Sequence, residues 1–207
     1  MKKLLTCCIM VSCICLPTAL AQSDSARGSS SSANLLEEPV QHAIYGAAMM
    51  KFSPVGPQGV NSLFVGGELY WLLNKKYLLG LGFTGLSTVV QAPAIFPVEG
   101  LVLVTNYGGL VLGYVHNSHK LIHLEAVCLG GIGQAFYRDK EYAATYNQND
   151  TYIILEPAVS AVLNMTSAFR IGAGLSYRLA QKVDLIGLDD RDLSGLSLNL
   201  SFRVGRF

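Results

Sequence analysis

A formal net charge of +1 over 207 residues removes the electrostatic basis for nucleic-acid binding. Hydrophobic residues reach 51% and charged ones only 14%, yet beyond the N-terminus no apolar run is long enough, at about 18 residues, for a helix to cross a membrane. So hydrophobic a chain must spread its apolar residues by alternation, and 21 glycines and seven prolines fit strands and turns better than helices.

Residues 1–21 have the three parts of a signal peptide: Lys2 and Lys3, an apolar stretch from Leu4 to Leu16, and the small-x-small site Ala19-Leu20-Ala21 before Gln22. Val11-Ser12-Cys13 offers a competing lipid-attachment site, but Cys13 comes early and the Ala-Leu-Ala site is better. Cys7, Cys8, Cys13 and Cys15 leave with the leader, so Cys128 remains alone and no intrachain disulfide is expected. Residues 22–41 are Ser-rich and too poor in apolar surface to offset the entropy of ordering; they read as a flexible periplasmic tail.

From His42 the chain falls into eight alternating segments, predicted at residues 42–53, 61–73, 77–90, 101–115, 120–137, 151–163, 169–181 and 194–207. The last is the clearest. Leu196, Leu198, Leu200, Phe202 and Val204 alternate with Ser197, Asn199, Ser201 and Arg203. Joins after the even-numbered segments are short: residues 74–76, a turn around Asn117-Ser118, and residues 164–167. Those after the odd-numbered ones are longer, at residues 54–60, 91–100, 138–150 and 182–193. Short turns on one rim and long loops on the other are the pattern of a bacterial outer-membrane barrel. Folding about residues 74–76 sets Glu68 opposite Gly82 and Tyr70 opposite Gly80. Folding about Asn117-Ser118 sets Val111 near Glu125. Each pairing joins residues of one face, which a one-residue slip would not do.

Residues 42–207 thus resemble the small outer-membrane barrels of the OmpA and OmpX type. The fold expected is an all-β, eight-stranded antiparallel up-and-down transmembrane barrel, exported to the outer membrane, with no further domain. Its terminal strand is the expected contact for the barrel-assembly machinery. Phe207 is out of step with Val204 and Phe202, which predicts a bulge at Gly205.

A soluble secreted barrel would turn the glycine-rich, mixed-charge face to water, so the apolar face is assigned to lipid. Trp71, Tyr77, Tyr114, Phe169 and Phe207 then form an aromatic girdle near the short-turn rim. Lys51, Glu68, Glu125, Glu156, Arg170, Arg178 and Arg203 point inward, where charges must pair. The expected network joins Glu68, Glu125 and Arg203 in the lower half and Glu156 with Arg178 above.

His116, His119, His123 and Glu125 invite a catalytic or metal reading, but turn histidines are ordinarily just hydrated. Asp189, Asp190 and Asp192 lack the ligand spacing of an EF-hand loop. No cofactor, metal or catalytic residue is assigned. The leading function is a non-enzymatic barrel, structural or adhesive, that meets an extracellular protein or surface ligand through its loops. Tyr142, Tyr146, Asp189, Asp190 and Asp192 are the candidate contacts. A lipid-modifying enzyme and a narrow gated pore are the alternatives.

Overall fold

The computed structural model describes residues 42–92, 100–139 and 145–207, with only the backbone at 145–148. The leader and the Ser-rich tail lie outside the described residues. Period-two alternation produces strands β1 His42–Val55, β2 Val60–Leu73, β3 Tyr77–Leu86, the short β4 Val90–Gln91, β5 Leu101–His116, β6 Ile122–Asp139, β7 Thr145–Asn164, β8 Phe169–Gln181 and β9 Gly195–Gly205. One helical turn, α1 Asp190–Leu193, precedes β9. Every long strand pairs antiparallel with its chain neighbour. β3 pairs directly with β5, β1 pairs with β9, and β4 adds only a short ladder on β5. The eight long strands therefore close into a barrel with no free edge among them.

Alternation sends one set of side chains inward and the other out. On β1, Tyr45, Ala47, Met49, Lys51 and Ser53 are buried, while Ile44, Met50 and Phe52 are exposed. The same phase holds on β9, where Ser197, Asn199, Ser201 and Arg203 are buried and Leu196, Leu198 and Val204 exposed. The exterior thus carries apolar residues, while the interior mixes charged and polar side chains with apolar ones such as Tyr45 and Met49, unlike a soluble barrel with its polar face to water.

The β2–β3 turn is tight because Asn74 and Lys75 both take left-handed φ, 50° and 56°, and Lys76 N–H donates to the Leu73 carbonyl at 3.0 Å. That is the primed turn whose twist matches a hairpin. Its register sets Glu68 opposite Gly82 and Tyr70 opposite Gly80. The β5–β6 register differs from the expected one. Val111 pairs with Leu129, and Glu125 with Val115. The turn spans residues 117–121 rather than closing on Asn117-Ser118. Each strand shifts by an even number of residues, so its faces are kept.

Two of the expected long loops are partly ladder. Val55 pairs with Val60, and left-handed glycines at 56 and 59 reverse the chain in between. The β6–β7 ladder runs up to Arg138 and Thr145, with one irregularity between Phe136 and Arg138. In that hairpin the polar residues Asn149 and Asp150 pair with Phe136 and Ala135. β6 and β7, at 18 and 20 residues, exceed the roughly 9–11 that cross a bilayer. The long joins are therefore residues 87–100 and 182–194. At the other terminus β9 stays in register with β1 as far as Tyr45 opposite Gly205, without the expected bulge.

Candidate functional site: the filled lumen

All seven inward charges are buried, and two ion pairs cross the lumen. Midway along it, Glu156 of β7 takes Lys51 Nζ of β1 at 2.8 Å. The same carboxylate accepts Tyr107 Oη–H at 2.8 Å and Ser176 Oγ–H at 2.6 Å, and the Ser176 hydroxyl lies 3.3 Å from Asn199 Oδ1. Nearer the short-turn rim, Arg203 Nη1 of β9 reaches Glu125 Oε2 of β6 at 2.6 Å, and Arg203 Nε donates to Ser201 Oγ at 3.2 Å. Glu68 accepts the Tyr70 hydroxyl. A buried carboxylate held this way recovers in hydrogen bonds what it loses in hydration.

Glu156 is thus held by Lys51 and not by Arg178. Arg178 extends toward the loop rim, where it finds oxygens of β1 and of the turn before β9. Its Nε donates to the Leu193 carbonyl at 2.5 Å, and its Nη2 donates to Ser53 Oγ and the Pro54 carbonyl, each at 3.3 Å. Its guanidinium lies over the Phe64 ring, 4.3 Å from the centroid. Arg170 lies at the opposite end, over Phe207 at 3.7 Å. The space left among Lys51, Glu68, Glu125, Glu156 and Arg203 is a cavity of only about 20 Å³, room for about one water molecule.

Both mouths are closed. At the loop rim Leu185, Leu188 and Leu193 fold back over Val55, Val90, Leu103 and Tyr137, and all of these are buried. Tyr137 Oη–H donates to the Ile186 carbonyl at 2.9 Å, fastening the loop to β6. At the short-turn rim the Phe207 ring tilts against Tyr45, 4.7 Å between centroids, beneath Arg170. Phe207 therefore leaves the expected girdle and faces the lumen. Without a bulge it keeps the inward phase of Arg203. Trp71, Tyr77 and Tyr114 stand exposed on the outer face of this rim, with Tyr77 and Tyr114 edge-on at 5.9 Å, and Phe169 on β8 is half-buried.

The histidines do not converge. His116 and His119 are exposed, whereas His123 is buried beside Asn164, with Nδ1 3.4 Å from its amide nitrogen. Glu125 is taken by Arg203. Among the described residues no group of three potential ligands could hold a metal ion. The loop aspartates bind their own backbone: Asp190 Oδ1 accepts Val183 N–H and Asp192 Oδ2 accepts Asp189 N–H, each at 2.8 Å. Tyr142 lies outside the described residues, and Tyr146 falls within β7, where only the backbone is described. On the loop rim a concavity of about 350 Å³ lies between Val55 at the end of β1 with Pro57 and Gln58 after it, and Val89 and Gln91 at β4. Sequence reasoning passed over Tyr107 and the apolar trio of the last loop, and it set Ser176 and Asn199 on the inward face without giving them a part in the network.

The geometry defines a closed eight-stranded barrel that is apolar outside and charged inside. Its fold is that of the small outer-membrane barrels. The chain is similar to Neisserial surface protein A, with a TM-score of 0.61 and 13% identity over 82% of this chain and 100% of that one. It is also similar to the N-terminal barrel domain of Pseudomonas aeruginosa OprF, with a TM-score of 0.50 and 14% identity over 81% of this chain and 99% of that one. The likeness is one of fold. No protein-family model and no curated protein sequence matches the chain.

Proposed function

We propose that residues 1–21 export the chain, that the barrel resides in the bacterial outer membrane, and that it works there as a non-enzymatic structural or binding protein through its loop rim. The observation carrying this reading is the exterior. Leu69, Leu81, Leu110, Leu112, Ile132, Val159, Leu175 and Leu198 lie exposed around the barrel, an apolar belt that water would penalise and lipid accommodates. The nearly filled lumen supports a plug and weighs against a pore. The concavity on the loop rim is of a size that small ligands or a partner's side chain occupy.

The test is cell fractionation followed by electrophoresis in detergent. The folded chain should be recovered with outer membranes and should migrate differently before and after boiling, because a closed ladder in lipid offers no edge from which to unfold. Recovery in the soluble periplasm with identical migration rejects the membrane reading. Regular conductance steps in planar bilayers would reject the plug.

A further inference from the structure

The four buried lumen bases are not treated alike. Lys51 and Arg203 each meet a carboxylate, and Arg178 meets three oxygens. Arg170 meets none. No aspartate or glutamate among the described residues lies within ion-pair distance of it, and its Nε is buried without a hydrogen-bond partner. The residue is only 8% exposed, so water does not fully replace the missing anion. Its guanidinium carbon lies 3.7 Å from the centroid of the Phe207 ring, a contact that takes up no N–H donor.

Arg170 lines a cavity of about 270 Å³ at the short-turn rim. Lys75, Ser118, His119 and Ser167 share its walls, and no aspartate or glutamate does. These donors come from three separate turns, so they converge from several directions. A planar carboxylate accepts hydrogen bonds mainly in one plane, whereas a tetrahedral phosphate accepts them all round. Asn164 completes the wall. Its amide N–H donors go to the Ser118 and Lys120 carbonyls and its Oδ1 is left buried and unpaired, an acceptor suited to the hydroxyl of a hydrogen phosphate or of a glycerol headgroup.

We propose that this cavity is a phosphate-binding site, with Arg170 as its buried anchor and Lys75, His119 and Ser118 as its outer donors. The bound phosphate neutralises the base that the lumen leaves over, and the forked guanidinium matches two of its oxygens. The phosphate is either free in solution or the headgroup of an anionic phospholipid at the rim. The site itself does not depend on which leaflet or compartment the rim faces.

The test uses the full chain folded in detergent micelles, with the Ser167 backbone amide followed by NMR as inorganic phosphate is added. A saturable shift that disappears in Arg170→Gln and weakens by about tenfold or more in the double variant Lys75→Gln/His119→Gln supports the site with a soluble source. The second arm places the chain in phosphatidylcholine bilayers with and without phosphatidylglycerol. A shift seen only with phosphatidylglycerol, and reduced in the same variants, supports the headgroup source. Lys75 and His119 are exposed in turns, so the double variant keeps the test valid if Arg170→Gln fails to fold. No shift in either arm, or shifts that the double variant leaves unchanged, overturns the proposal.

Discussion

The two ends of the lumen are closed by different means. At the loop rim residues 182–194 are long enough to turn back, and Leu185, Leu188 and Leu193 bury themselves over the barrel mouth. At the other rim the joins at residues 74–76 and 165–168 are too short to reach across. That mouth is closed by strand residues and the chain end instead, Arg170 on Phe207 against Tyr45. One end excludes water with apolar area, while the other narrows around a charge and keeps a cavity beside it. Loop length thus decides how a narrow barrel can be stoppered. An apolar lid needs spare chain, and a polar closure needs only the right residues on the strands.

Three tests, built on four substitutions, break or sharpen that contrast. The largest effect is expected between the ends, where charge takes over from apolar packing. Glu125→Gln leaves Arg203 buried without its counter-ion, and urea unfolding from lipid vesicles should show a loss of about 3–5 kcal/mol. Adding Arg203→Met should recover much of it, since an apolar pair often replaces a buried ion pair without penalty. Strict additivity of the two losses would mean that the pair is not energetically coupled. Next comes the lid. Leu193 is fully buried but sits on a loop that can partly collapse, so Leu193→Ala should cost about 2–3 kcal/mol in the same assay, the low end for a buried leucine. A negligible change would show that the lid contributes no stability. The smallest effect is expected at the short-turn rim. Phe207→Ala removes the ring beneath Arg170 at a cost of about 1–2 kcal/mol, and planar-bilayer recordings should stay silent because the opposite mouth remains covered. Conductance steps in this variant would show that the leucine lid is not a seal.

Much of the barrel was legible because parity is robust. The inward and outward sets on β6, β7 and β9 follow from alternation alone, and an error of two residues in a turn, as at residues 117–121, leaves every face correct. The β2–β3 register was legible because Asn74 and Lys75 form a turn of fixed geometry. Partners across the lumen were not. Glu156 could have met Arg178 on the adjacent strand, and only the direction of the long side chains gives it Lys51 from β1 instead. After β6 the loop was overestimated because polar residues were taken to end the strand, and in a ladder beyond the apolar belt they cost little. After β1 it was Pro54 that was taken to end the strand, yet Pro54 keeps its place opposite Asn61. Phe207 was misplaced for a related reason: aromatic character was weighted above phase, and phase decided. The lid could have been found, since three leucines in an acidic loop are more apolar than a hydrated loop requires.

Pairing of β1 with β9 joins opposite extremes of the folded chain, with Tyr45 beside Gly205 and Phe52 beside Leu198. Every other long ladder links long strands that follow one another along the chain and can form more locally. This one has the highest contact order in the molecule and waits until β9 exists. Any N–H or C=O left along the seam would face hydrocarbon, so a barrel lacking this pairing has no comfortable resting point inside a bilayer. Maturation should therefore be slow, late and all-or-none, with the closing seam as the step that a catalyst of assembly would accelerate.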